Sequence, residues 1–256
     1  MAKLDKSLYS KSEWQKLRDS RRAAKKALRE EKFKKQSAEE LKKIYDPAEQ
    51  LTKKRPKIHP ASKIAFVVGN GTSRAPIQLE DLATFGKIYA CNAVYRTFRP
   101  DYLVAVDVKM ILEIAKSGYQ HHNEVWTNYN KSYQRFKNLN YFHPSKGWSS
   151  GPTALWLASE HSYEKIFILG FDYKGLDGGS KFNNMFADSP NYKKSADGAT
   201  FFGNWLRQTT NVLKEHPNTQ FYRVIAPDNY IPDELNKFNN IKHISVEDFQ
   251  KMFKIS

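Results

Sequence analysis

The chain has 256 residues, enough for one α/β domain with an appendage and a real hydrophobic core. Its formal charge of +15 is uneven: residues 1–57 hold 19 Lys/Arg against 9 Asp/Glu, a net of +10, which leaves +5 for the other 199. The single cysteine, Cys91, excludes an internal disulfide. No 18-residue apolar stretch is present and the first residues lack the apolar region of a signal peptide, so a soluble, cytoplasmic protein with no membrane span is expected.

In chain order, residues 10–45 predict helix. Ser10 to Glu13 and Ser37 to Glu40 each have capping-box spacing, and Pro47 stops the second segment. Trp14, Leu17, Leu28, Leu41 and Ile44 are too sparse for a self-sufficient core. A basic helical arm of this kind serves solubility as a solvated face, packs on a partner subunit or the main domain, or meets nucleic acid. Lys53-Lys54-Arg55-Pro56-Lys57 reads as a linker, which divides the chain into an arm over 1–57 and a domain over 58–256.

From there strand and helix signals alternate. Strands are expected at 63–68, 87–91, 102–106, 123–127, 165–171 and 219–225, and helices near 77–84, 108–117, 151–162, 200–215 and 246–253. The unbroken apolar run Ile64 to Val68 suits a strand buried on both faces. Alternation at this spacing implies right-handed crossovers and a mostly parallel sheet with helices on both faces. Ligands of such sheets sit at the carboxyl ends of the strands. Gly69-Asn70-Gly71-Thr72-Ser73, Asn92, Asp107 and Gly170-Phe171-Asp172-Tyr173 all fall there, so these turns are expected to converge on one crevice.

The Gly69-Asn70-Gly71 turn suits close approach of a phosphate, because glycine removes the Cβ that would keep an anion from the backbone. It lacks the third glycine of a dinucleotide fingerprint and the Gly-Lys-Ser/Thr of a P-loop, so a tight strand-to-helix bend is the competing reading. Ser149 or Ser150 caps the helix that begins near Gly151 and Pro152, and its free N–H groups make an anion site. Lys109, two residues beyond Asp107, would repel a cation, and no required metal is expected. Among the seven histidines, His143 alone is placed for acid/base work, beside Pro144 and the Ser149-Ser150-Gly151 turn. Tyr129, Tyr133, Phe136, Tyr141 and Phe142 interleave with Lys131, Arg135 and Lys137, a mixture that suits base stacking, an acceptor lid or a packed subdomain.

Taken together, Val68 to Ser73, Ala90-Cys91-Asn92, Ser149 to Ala154 and Tyr163 to Tyr173 resemble the bacterial sialyltransferases of the Campylobacter type, glycosyltransferase family 42, and the related DUF115 proteins. The resemblance covers about residues 62–230, in matching order. It implies a Rossmann-like, glycosyltransferase-A-like domain that binds a nucleotide-sugar, CMP-linked in the namesake enzymes, with no metal or other cofactor. By position it implies donor-phosphate contacts from Gly69, Asn70, Gly71 and Ser73, with Thr72 and Arg74 standing in place of the usual Pro and Leu. It further implies nucleotide contacts from Asn92, from Ser149, Ser150 and Gly151, and from Gly170, Phe171, Asp172 and Tyr173. The family's general base is a histidine beyond that last strand, but Lys174 to Gly198 contains none, which leaves Asp188, Tyr192 and Asp197 as candidates.

The resulting expectation is a nucleotide-sugar-dependent, metal-independent glycosyltransferase using a CMP- or UDP-linked donor. The +10 arm points to a polyanionic acceptor such as modified DNA, since Lys/Arg contacts supply sequence-independent affinity. A glycan acceptor would make the arm an anchor or a device for homo-oligomers. The competing expectations are a Mg²⁺-dependent pyrophosphokinase-like phosphoryl transferase using Asp107 and Asp172, and a lapsed transferase fold kept for nucleic-acid binding or assembly.

Overall fold

The computed structural model describes residues 10–35 and 62–255. The chain divides into two compact units, Met1–Ile44 and Tyr45–Ser256. The linker, the second capping box and Pro47 lie outside the described residues, as does the boundary expected near residue 58.

In the first unit, α1 spans Lys11–Lys35. Its start is the capping box read from the sequence. The Ser10 hydroxyl and backbone N–H both donate to Glu13 Oε2, at 2.6 and 2.9 Å, and the Glu13 N–H donates back to Ser10 Oγ at 3.3 Å. Leu28 is 65% exposed, and Trp14 and Leu17 are half-buried, so this helix does not bury an apolar face of its own.

The second unit is an eight-stranded, all-parallel sheet in the order β5-β4-β3-β2-β1-β6-β7-β8. The strands are β1 (Ile64–Val68), β2 (Lys87–Cys91), β3 (Tyr102–Val104), β4 (Val125–Asn128), β5 (Asn140–Phe142), β6 (Lys165–Leu169), β7 (Gln220–Ile225) and β8 (Ile241–Ser245). The helices between and after them are α2 (Leu79–Leu82), α3 (Val108–Ser117), α4 (Ser150–Glu160), α5 (Gly203–Glu215), α6 (Asp233–Asn236) and α7 (Val246–Phe253). This is a Rossmann-like α/β architecture, and the sheet is wholly rather than mostly parallel.

Strand periodicity divides the core between two layers. Ala65 and Val67 of β1 join Tyr89, Val104, Ile166 and Ile168 under α4 and α5, where Ala154, Leu155, Val212 and Leu213 are fully or almost fully buried. Phe66 and Phe167 point to the opposite face. They pack on Phe249 and Phe253 of α7 with ring centroids 5.0–6.2 Å apart. Each β1 residue from Ala65 to Val68 pairs on both sides, for example Val68 with Ala90 and with Leu169. That explains the apolar run, since no face of β1 meets water.

The strands that sequence periodicity did not predict, β5 and β8, are the two edges of the sheet. An edge strand has one neighbour, and Asn140, Lys242 and His243 interrupt its apolar pattern. The third strand ends at Val104 instead of Val106, and Asp107 begins a helix instead of ending a strand. The helix expected over 77–84 shrinks to the single turn Leu79–Leu82.

Candidate functional site

The sheet order reverses direction between β1 and β6, and the space above their carboxyl ends is where an open parallel sheet receives a ligand. A cavity of about 500 Å³ lies there, bounded by the turns after β1, β2, β3 and β6 and by the starts of α4 and α5. This brings together Gly69, Asn70, Gly71, Asn92, Asp107, Ser149, Ser150, Gly151, Gly170, Phe171, Asp172 and Tyr173 from the sequence-derived set.

The glycines meet a packing demand first. A Cβ on Gly71 would stand 2.5 Å from Asp172 Cγ and 2.7 Å from the Gly170 carbonyl, because the two turns lie backbone against backbone. Gly69 N–H donates to the Leu169 carbonyl at 2.8 Å and Gly71 N–H to the Gly170 carbonyl at 2.9 Å. Thr72 N–H and hydroxyl both donate to Asn183 Oδ1 at 2.9 Å, and Ser73 N–H donates to Asp172 Oδ2 at 3.2 Å. The N–H groups of Gly69, Gly71, Thr72 and Ser73 therefore have protein acceptors. The turn walls the cavity instead of forming a nest of free donors, and Thr72 and Ser73 stand behind that wall.

Asp172 is the clamp that holds this arrangement. Its carboxylate accepts from the Ser73 N–H and hydroxyl, from Asn183 Nδ2 at 2.9 Å and from Asn229 Nδ2 at 3.4 Å. Arg223, 1% exposed on β7, donates to the carbonyls of Phe171 at 2.8 Å, Asp172 at 3.3 Å and Tyr230 at 3.0 Å, and lies over the Tyr173 ring. Arg74, 5% exposed, donates to the Gly69 carbonyl at 2.7 Å. Burial lowers the pKa of both guanidiniums. Each still carries positive charge behind the wall, because an arginine starts so far above neutral pH.

A second chain of polar contacts joins three other elements. The Val106 N–H donates to Ser150 Oγ at 3.0 Å, and that hydroxyl donates to Asn92 Oδ1 at 2.8 Å. Asn92 is held at φ 53, the left-handed region that Asn tolerates better than most residues. Its Oδ1 is thus engaged, while its Nδ2 makes no hydrogen bond to the described protein.

The three residues singled out for proton chemistry do not line the cavity. His143 is exposed near Tyr129 and Tyr141, with centroid separations of 5.6 and 6.4 Å. Asp188 is exposed and accepts from the Ser195 N–H at 3.1 Å, a contact that lowers its pKa. Asp197 likewise accepts from a backbone N–H, that of Lys194, at 2.9 Å. Tyr192 is one residue removed from the cavity: its hydroxyl accepts from Asn70 Nδ2 at 3.1 Å and the Ala93 N–H at 3.3 Å, and burial raises its pKa. It positions Asn70.

The lining contains only four ionisable side chains, Cys91, Asp107, Asp172 and Tyr173. Burial pushes the Cys91 thiol and the Tyr173 hydroxyl each up to about 12, and Tyr173 donates to Thr209 Oγ1 at 2.7 Å. Asp172 is engaged as described. Asp107 alone is unengaged: it precedes α3 with its backbone carbonyl accepting from the Ile111 N–H at 3.0 Å, and its side chain caps nothing. Burial raises its pKa, opposed by Lys109. A free carboxylate with a raised pKa in a ligand-sized cavity has the character of a general base.

No family model, no curated protein and no solved structure matches this chain. Among the described residues no helix is long and apolar enough to cross a membrane, and no group of three or more His, Cys, Asp or Glu is placed to hold a metal.

Residues that periodicity did not mark complete the site. Asn183 ties the 183–184 segment to both Thr72 and Asp172, and Thr200, Phe201, Phe202, Asn204, Trp205 and Gln208 bring α5 to the cavity. One signal was present in the sequence: Arg223 is a lone charge inside the apolar run Phe221 to Ile225.

Proposed function

We propose that the protein is a nucleotide-sugar-dependent glycosyltransferase that meets its donor's phosphate with amide groups instead of a metal ion. The observation that carries this reading is the position and lining of the cavity. It sits at the switch point between β1 and β6, is walled by the start of α4 and the Asn92 amide, and holds one unengaged carboxylate, Asp107. The matching order of the motifs that resemble the family 42 sialyltransferases and DUF115 proteins supports the same reading.

In such a transfer an acceptor hydroxyl attacks the anomeric carbon of the donor sugar. Asp107 takes the hydroxyl proton as the new C–O bond forms, a role worth roughly 10²–10⁴ in rate. The bond from the anomeric carbon to the phosphate oxygen breaks, and its electron pair leaves with the nucleotide. The N–H groups of Ser150 and Gly151, at the start of α4, and Asn92 Nδ2 meet the charge that develops there. A pyrophosphokinase-like reaction needs carboxylates for Mg²⁺, and Asp172 already holds four protein donors, which favours the glycosyl reading. For the acceptor we take a polyanion such as modified DNA, because α1 carries 11 Lys/Arg against 4 Asp/Glu.

The test is a thermal-shift panel of CMP, UDP, GDP and ADP with their sugar conjugates, run with EDTA and with Mg²⁺. A donor at a hundred times its Kd stabilises by about 2.7 kcal/mol, and the shift should persist in EDTA. Absence of a shift with every nucleotide overturns the reading, and a shift seen only with Mg²⁺ moves it to the phosphoryl transferase.

A further inference from the structure

Two helices, not one, begin at the cavity. The start of α4 contributes Ser149, Ser150 and Gly151 to the lining, and the start of α5 contributes Phe202, Asn204 and Trp205. Both starts lack a side-chain cap: Ser149 precedes α4 without capping it, and Phe202 precedes α5 with no group able to do so. A missing cap ordinarily costs about 1 kcal/mol.

The first N–H groups of a helix have no acceptor within it. In α4 the Thr153 N–H is the first to find one, at the Ser149 carbonyl, and in α5 it is the Leu206 N–H, at the Phe202 carbonyl. That leaves Ser150 and Gly151 on one side and Gly203, Asn204 and Trp205 on the other without a backbone acceptor among the described residues. Gln208 of α5 accepts from the Ser149 N–H at 3.1 Å, which fixes the two helix starts to each other.

Each helix start carries the equivalent of about +0.5 charge. No lysine, arginine or histidine lines the cavity, so these two ends are its main sources of positive potential, with Arg74 and Arg223 behind the wall. A separate feature points to the rest of the ligand. Asn70, 8% exposed in the lining, turns Nδ2 to Tyr192 and leaves its buried Oδ1 with no donor. An acceptor left in that state calls for a ligand hydroxyl.

We propose that the donor carries a diphosphate, as nucleoside diphosphate sugars do, with one phosphate at the start of α4, the other at the start of α5, and a sugar hydroxyl donating to Asn70 Oδ1. This rests on the glycosyltransferase reading and names its donor class; a nucleoside monophosphate sugar would use one of the two seats and leave the other empty.

The experiment is isothermal titration of the full-length protein in EDTA with UMP, UDP, CMP and CDP, repeated on Asn204→Asp. Asp in the first turn of a helix is favourable for the fold. Arg207, which donates to Asn204 Oδ1 at 3.3 Å, also holds the new carboxylate in place, where it repels a phosphate at α5. The expected result is diphosphate binding at least about tenfold tighter than the matching monophosphate, with the variant reducing that ratio to about twofold while monophosphate affinity stays within about threefold. Equal affinity for mono- and diphosphates, or equal weakening of both in the variant, overturns the diphosphate seat and leaves the transferase reading standing. Binding of neither kind overturns both.

Discussion

Replacing Glu113 by Gln tests whether a buried charge holds the segment over the cavity. Glu113 lies on α3, 1% exposed. Its carboxylate accepts from the Tyr95 hydroxyl at 2.6 Å, from Arg96 Nε and Nη2 at 2.8 and 2.7 Å, and from Asn191 Nδ2 at 2.6 Å. Arg96 itself also reaches Ser189 Oγ and the Pro190 carbonyl, each at 2.8 Å. Gln keeps the shape but removes the charge, and turns a donor toward groups that are already donors. With the Arg96 side chain only 6% exposed, breaking this pair should cost about 3–5 kcal/mol, or about 6–20 °C in Tm for a domain of this size. Urea unfolding and thermal denaturation read the loss directly. Replacing both charges, with Arg96→Met and Glu113→Leu together, should cost less than Glu113→Gln alone, because no unpaired ion remains. A loss below about 1 kcal/mol for Glu113→Gln would refute the argument that this ion pair anchors residues 189–191.

Two further outcomes follow from the site. Gly71→Ala forces its Cβ against Asp172 and the Gly170 carbonyl, so it should destabilise by about 1–3 kcal/mol and weaken nucleotide binding in titration; unchanged binding would show that the turn does not shape the cavity. Asp107→Asn should abolish transfer while leaving nucleotide affinity within about threefold. In the wild type, transfer needs ionised Asp107, so the rate should fall as pH drops through a pKa raised above the usual carboxylate range. The sign for stability is opposite: a raised carboxylate favours the folded state when protonated, so its contribution is present at low pH and lost as pH rises through the folded pKa. The variant should therefore lack the acidic limb of the rate profile, and equal profiles for the two proteins would remove Asp107 from the mechanism.

The fold was legible where strands are buried on both faces. The apolar run Ile64 to Val68 announced the centre of a parallel sheet because β1 has neighbours on both edges and helices on both sides. The two strands that escaped notice, Asn140–Phe142 and Ile241–Ser245, are the edges, where polar residues break the pattern. The crevice itself could be read from the rule that ligands meet carboxyl ends, which placed Asn92, Asp107 and Ser149 to Gly151 correctly on its lining. What local sequence could not distinguish was the duty of each group there. Asp172 and Asp107 look alike as residues following strands, yet one is engaged by Ser73, Asn183 and Asn229 and the other is free. The phosphate-binding look of Gly69 to Ser73 likewise hid the fact that Gly170 and Asp172 occupy that turn's donors from about 100 residues away, a long-range pairing that no local pattern encodes.

The placement of β1 between β2 and β6 also bears on how the protein is made. Val68 meets Ala90 soon after synthesis but must wait for Leu169, roughly 100 residues later, an interval of about 5–20 s at ribosomal speeds. Until β6 emerges, the central strand has an open flank and the Gly69–Ser73 turn has neither Gly170 nor Asp172 to lie against. The nascent chain thus carries its most apolar strand as an unprotected edge during that interval, and the ligand cavity is among the last features to take shape.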